Sequence, residues 1–457
     1  MRTPITNRDD SRISFWRRVR EFAVPPSMIE TATARRNIGD WAGACAAAGF
    51  DVDIDIRSST RRYGRDLAAE IRADLSHLAP DLLRWHLPRV APDGLLRPDL
   101  TIALARYGSP DGRKHGSRTG SVYLVARTAP AWANTVQRVG LALWDGTGPH
   151  PRPDRRFRFD LHRHLWDTRR AHEFRLRCGA DQFSDTGGSR PELPENLPEG
   201  CAVGRWADEA RIMLRAEGHH GGPLRVRIGA RRDLVVELVA DSGDPPTVRI
   251  AESYPRGAVS ALPVLPDAAT WTAPDLELIH AGAITADRLH PLVAAALVPD
   301  RSPVDSYRAP QRSDRAHLVE CRGEQHRIGL VGGVLVALDH DPAEIRREEL
   351  LVALTGTPLP CLQAIDRAHR RPDCLAGVRE RLDHGDIAGA LAVVEDLLGP
   401  GAVLREGPLR NELEACARQR ITYGLFRAGL SGAAPIRNKT DQRPGDRRAH
   451  PRHASAR

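Results

Sequence analysis

Leu100-Thr101-Ile102-Ala103-Leu104 places an apolar side chain at every second residue, and a similar pattern returns in Val122 to Thr128 (VYLVART), Val139 to Trp144 (VGLALW) and Phe157 to His162 (FRFDLH). Successive side chains on a strand point to opposite faces, so a period of two predicts strands with one buried face. Glycine-rich turns separate the four runs, and residues 99–182 read as a β-rich domain.

On the N-terminal side the period changes to that of a helix. Ile13, Trp16, Val19 and Phe22 share one helical stripe, with Arg12, Arg17, Arg18 and Arg20 mostly elsewhere, so residues 1–24 form a basic amphipathic extension. A terminal helix docked on its own domain is the expected form, with contact to an acidic membrane or partner as the alternative. Pro25 and Pro26 end that helix. Residues 25–98 then read as helical: Ser27 and Glu30 are spaced as a capping box, Gly39 and Asp40 as a helix stop and the next N-cap, and Leu67, Ile71, Leu75 and Leu78 as an amphipathic stripe. The string Gly39-Asp40-Trp41-Ala42-Gly43-Ala44 returns as Gly385-Asp386-Ile387-Ala388-Gly389-Ala390, which is read as one local solution used twice, not as a repeat array.

On the C-terminal side, residues 183–204 have a glycine- and proline-rich linker composition, 205–300 a mixed α/β region and 301–318 a second linker. In residues 319–430, His326 to Val331 and Val334 to Leu338 flank Gly332-Gly333 as a β-hairpin, and helices follow it. Asp341, Pro342 and Glu344 supply the start of the first of these. The expected class is α+β, with helical N-terminal and C-terminal parts around a β-rich middle and at least two domains, because 457 residues exceed one ordinary core.

Charge is unevenly spread. The chain carries a net charge of +8, and the stretch beyond Leu430 holds seven cationic residues against Asp441 and Asp446. Residues 431–457 are therefore expected to be a disordered basic tail, able to bind nucleic acid without sequence preference but lacking aromatic side chains for base stacking. Lys114 and Lys439 are the only lysines, which removes a Gly-x4-Gly-Lys-Ser/Thr phosphate loop from consideration. A Rossmann glycine fingerprint, a Gly-x-Ser-x-Gly elbow and a His-Glu-x-x-His helix are missing too. No apolar run nears the roughly 18–20 residues that span a bilayer. The charged N-terminus lacks a signal-peptide core, and seven scattered cysteines suit reduced thiols. A cytoplasmic location is expected.

Three groups of residues could carry chemistry. Asp160, His162 and His164 alternate along the fourth predicted strand, with Cys178 beyond, and together offer nitrogen, oxygen and sulfur donors of the kind zinc accepts. No cofactor is predicted, and zinc is the metal these residues would suit. Cys361 follows Pro358-Leu359-Pro360 at the start of a helix, where free amides and the helix dipole would favour a nucleophilic thiolate, with His369 or His384 as base. Cys361, His369, Cys374 and His384 could instead form a Cys2His2 zinc site. Lesser candidates are Asp51, Asp53 and Asp55, read as a solvated acidic edge because their spacing fails the calcium-loop test, and the basic loop from Gly108 to Gly120.

The strings VPPSMIETATARRNIGDWAGACAAA (24–48), HRIGLVGGVLVALDHDPAEIRREELL (326–351), LPCLQAIDRAHRRPDCL (359–375) and ITYGLFRAGL (421–430) resemble an uncharacterised protein family of high-GC actinobacteria. The resemblance covers most of the chain and implies a cytoplasmic bacterial setting without implying a mechanism. The functional expectation is a non-catalytic interaction or regulatory protein whose partner is another protein. The alternatives are an enzyme of unfamiliar class working through the Asp160/His162/His164 strand, and nucleic-acid binding through the tail.

Overall fold

The computed structural model describes residues 9–430 except 109–120, 148–150, 181–196, 231, 240–245, 252–253, 256, 300–316, 322, 332–333, 356–358, 371–373, 400–402 and 405. The chain divides into two compact units, Met1–Pro303 with Ile436–Arg457, and Val304–Pro435. Helices and small, mostly antiparallel sheets make up both, the α+β class expected. The basic tail, Gly332-Gly333 and nearly all of the Gly108 to Gly120 loop lie outside the described residues, as do most of the two linkers.

Unit 1 begins with α1 (Asp9–Arg18), which continues through a π-turn, Val19–Ala23. Trp16 and Val19 are fully buried, the Trp16 ring lies 5.6 Å from that of Trp85, and Arg20 stacks over Trp85. The amphipathic extension is thus docked on its own unit, as its apolar stripe favours. Next come α2 (Pro26–Asn37), α3 (Trp41–Ala47), β1 (Phe50–Val52), α4 (Ile56–Tyr63), α5 (Arg65–Ser76) and α6 (Pro80–His86). The capping box does not form. Pro25 holds the N-cap of α2 in extended geometry without a side-chain bond, and Pro26 at the first helical position removes one of the amides a cap would serve.

A two-residue ladder of β2 (Arg89–Val90) with β3 (Leu95–Leu96) leads to β4 (Thr101–Tyr107), β5 (Val122–Thr128) and β6 (Val139–Trp144). With β1 these last three form a four-stranded sheet of order β1-β6-β5-β4, antiparallel except that β1 runs parallel to β6. Phe50 and Val139 are partners in that parallel pair, so the helical stretch and the β-rich stretch meet in one sheet across the expected boundary at residue 98. Their common core runs from Cys45 to Val293 and includes Leu75, Leu82, Leu124 and Trp166.

The fourth predicted strand is absent. Residues 157–162 form turns joined to β4 by one bridge, Ala103 to Arg158, and a 3-10 turn, Arg163–Leu165, follows. Phe157 and Phe159 are both buried, so inward aromatics at every second residue arose here from turns instead of a ladder. A short α7 (Phe174–Cys178) precedes the second layer of unit 1. There α8 (Trp206–Ala216) covers a sheet of β7 (Gly222–Arg227), β8 (Asp233–Val239) and β9 (Thr247–Ile250) around Trp206, Met213, Val226 and Val236. The short helices α9 (Asp267–Thr270), α10 (Pro274–His280) and α11 (Pro291–Leu297) close the unit.

Unit 2 holds the sheet β10 (His317–Cys321), β11 (Glu324–Val331) and β12 (Val334–Ala337), then α12 (Pro342–Thr355), α13 (Pro360–Arg370), α14 (Leu375–Asp383), α15 (Ile387–Leu398) and α16 (Pro408–Arg427). The expected hairpin is present in β11 and β12, with Val331 paired to Val334. The sequence reading missed β10, which pairs with β11 through Cys321 and Glu324.

The echoed string adopts the same corner in both units. Gly39 and Gly385 have φ of +79° and +81°, and the following Asp40 and Asp386 have nearly identical backbone angles. Asp40 Oδ1 accepts from the Gly43 amide at 2.8 Å and Asp386 Oδ1 from that of Gly389 at 2.9 Å. Five residues upstream of each aspartate, Arg35 and Arg381 reach its other oxygen. Asp386→Ala should therefore destabilise unit 2 by about 1–2 kcal/mol, the loss of an N-cap with its ion pair. Asp40→Ala should cost unit 1 a similar amount. An unchanged urea midpoint for both would show that the corner is held by helix packing alone.

Candidate functional site

The four donors predicted around the fourth strand do not converge on one point. Arg158 grips Asp160 through Nε and a terminal nitrogen, at 2.9 Å each, and also reaches Glu217 at 3.0 Å. His162 Nδ1 donates to the Arg158 carbonyl at 2.8 Å, which leaves Nε2 facing Glu209 Oε2 at 3.1 Å. His162 Nε2 makes no hydrogen bond there, and the contact is an ion pair only when the ring is protonated. Glu209, on α8, also takes a two-pronged grip from Arg177 at 2.7 and 2.8 Å. His164 lies 5.8 Å from His162, ring to ring, and is fully buried. Burial first, then the positive charges of Arg177 and His162, hold its pKa well below the ordinary 6.5 against the opposing pull of Glu209. The Cys178 thiol donates to Arg175 and is pushed by burial up to about 11. These residues form a buried ionic cluster that ties the 158–164 turns to α8 and α7, and not a cation site.

Asp51, Asp53 and Asp55 are likewise occupied. Arg138 holds Asp51 with two bonds of 2.8 Å, Arg127 lies 3.8 Å from Asp53, and Asp55 caps α4 through the amides of Arg57 and Ser58. The partners of the first two come from the same sheet, Arg138 just before β6 and Arg127 on β5.

In unit 2, Cys361 does sit in the first turn of its helix, following Pro360. The surroundings work against an activated thiolate. Cys361 is fully buried, and burial together with the adjacent Cys321 thiol pushes its pKa up to about 11. The Cys2His2 set is not assembled either. Cys374 packs with Val378 and Leu382 in another cluster, and the His384 ring donates from Nδ1 to the Glu380 carbonyl at 2.8 Å. The side chain of His369 lies outside the described residues.

Cys361 has different neighbours. Cys321 at the end of β10, His340 just past β12 and Cys361 bring one donor atom each into a group whose members all lie within 4.8 Å of one another. Among the described residues this is the one gathering of three or more such donors. The alternation along β10 and β11 turns Val319, Cys321, His326 and Ile328 toward the same side, and α13 packs on that side. His326 and His340 stack with ring centres 4.3 Å apart. Chemically, two thiols and an imidazole in a dry pocket can take a thiophilic cation or link to each other. Reading β10 from its sequence was the missing step, because only that strand carries Cys321 back beside a residue 40 positions later.

The opposite side of the same sheet is exposed and carries apolar side chains around the Arg327–Asp339 ion pair, with Glu320 and Gln325 also on it. Leu318 is 61% exposed, Val331 59% and Leu338 41%, and on α16 the pair Ile421 and Leu425 is exposed one helical turn apart. Unit 1 contributes only Ile38, Leu176 and Val298 to the large apolar side chains exposed among the described residues. No family model, curated protein or solved structure matches the chain. Among the described residues no helix is long and apolar enough to cross a membrane.

Proposed function

We propose that this is a non-catalytic interaction or regulatory protein of the bacterial cytoplasm, which docks on another protein through the outer face of the β10–β12 sheet. The concentration of exposed apolar side chains in unit 2, with Leu318, Val331 and Leu338 on one sheet face, carries this reading. Isolated exposed leucines are ordinary on protein surfaces, whereas a cluster on one face favours a partner. Among the described residues β10 is an edge strand of its sheet, whose outer backbone groups a partner strand could use. In unit 1, the buried carboxylates Asp160, Glu209 and Asp267 are each held by an arginine, which suits a scaffold.

The reading predicts a partner that is captured by the wild-type chain and lost by Leu318→Asp/Val331→Asp, with the circular dichroism and melting temperature of the variant unchanged. Polar substitutions at exposed sites away from special features usually shift stability by less than about 0.5 kcal/mol, so loss of the partner would report on the surface. An identical set of partners on both baits would remove the sheet face from consideration.

A further inference from the structure

The geometry points to a zinc site in unit 2, and we propose that Cys321, His340 and Cys361 bind one zinc ion, through two sulfurs and one imidazole nitrogen. Zinc–sulfur and zinc–nitrogen bonds of about 2.3 and 2.0 Å place tetrahedral donors some 3.3–3.8 Å apart, so a group already within 4.8 Å needs to close by only about 1 Å. Both cysteines are fully buried and His340 is 9% exposed, which shields such a centre from water.

The imidazoles distinguish a cation site from a simple pair of thiols. His340 Nε2 is buried without a hydrogen-bond partner, and so is His326 Nδ1 in the ring stacked upon it. Buried ring nitrogens without partners are costly, and a bound cation accounts for one of them. On its other side His340 turns Nδ1 toward Glu344 Oε2 at 3.7 Å, and a carboxylate behind a ligating ring orients it and raises its basicity. His326 stays outside this three-donor group, and the fourth tetrahedral position is left for an exogenous ligand. The setting gives the ion a task. Unit 2 spreads its apolar residues over several small clusters, one of them just Cys321, Ala337, Leu359 and Cys361 with a few half-buried neighbours. A zinc there would staple β10 to the start of α13 and to the entry of α12, as metals do in domains with too little core. This does not depend on the docking surface, which lies on the other face of the sheet.

The test uses the full chain, expressed with added zinc and purified anaerobically with a phosphine reductant. Elemental analysis and native mass spectrometry should find about one zinc per chain, lost in Cys321→Ser/Cys361→Ser and kept in Cys45→Ser/Cys178→Ser. His340→Ala should weaken retention against a chelator by at least about tenfold, since even outer-shell changes cost that much. If the double variant fails to fold, the wild type still decides: stripped of metal and titrated with cobalt(II), it should develop a thiolate-to-cobalt charge-transfer band that saturates at one equivalent. Wild type with well under stoichiometric zinc and no cobalt band would overturn the proposal. So would zinc that survives in the double variant, or a Cys321–Cys361 disulfide, seen as a loss of two hydrogens, in the freshly purified reduced-handled protein.

Discussion

Glu209→Ala should destabilise unit 1 by about 3–5 kcal/mol, because it strands the Arg177 guanidinium and the His162 ring in the interior. The Glu209 side chain is 4% exposed and meets Arg177 on one side and His162 on the other. Burial is the largest single influence and raises its pKa, but His162 and Arg177 together outweigh it and hold the group well below the ordinary 4.5. A carboxylate with a lowered folded pKa binds fewer protons in the native state than in the unfolded chain, so its stabilisation is present above 4.5 and fades as the pH falls below that. The gap between wild type and Glu209→Ala in urea titrations should therefore be full at pH 7 and shrink as the solution is acidified below pH 4.5. A gap below about 1 kcal/mol at pH 7 would mean that Arg177 and His162 find water when Glu209 is gone.

A second large effect is expected at Asp81, in the first turn of α6 and completely buried. His290 Nδ1 accepts the Leu292 amide, so the ring proton lies on Nε2, which donates to Asp81 Oδ2 at 2.8 Å. Arg36 reaches the other oxygen at 3.3 Å. Asp81→Ala should cost about 3–5 kcal/mol, whereas Asp81→Asn keeps an oxygen for His290 and should cost about 1–3 kcal/mol. Adding His290→Leu to Asp81→Ala should recover part of the loss, since a pair removed together leaves one fewer polar group without a partner. Equal losses for alanine and asparagine would locate the effect in Arg36 instead.

What could be read from the sequence was what short stretches decide. The corner at Gly39-Asp40 and its echo at Gly385-Asp386 were legible because the glycine's positive φ and the aspartate cap are satisfied within five residues. The strands β4, β5 and β6 were legible from their period alone. Two short strands were not: β1 has only Phe50, Asp51 and Val52, and β10 exposes Leu318 on the wrong side for a simple alternation. Residues 157–162 misled in the other direction, because turns with Phe157 and Phe159 inward have the spacing of a strand. Of the metal donors, Cys361 drew notice from its helix start, but Cys321 and His340 join it only through the sheet. No local spacing announces such a site.

The parallel pairing of β1 with β6 also bears on how the chain is made. Phe50 cannot find Val139 until the intervening residues have left the ribosome, and Trp16 packs in one cluster with Leu278. At synthesis rates of about 5–20 residues per second, the N-terminal tryptophan waits for its far neighbour for some tens of seconds. Until Trp85 and Val139 have emerged, the apolar stripe of α1 and the edge of β1 face the cell unpaired, and the α1 cluster is complete only with Leu278. A nascent chain arrested anywhere before residue 278 should thus be a good client for holdase chaperones, and the completed unit a poor one.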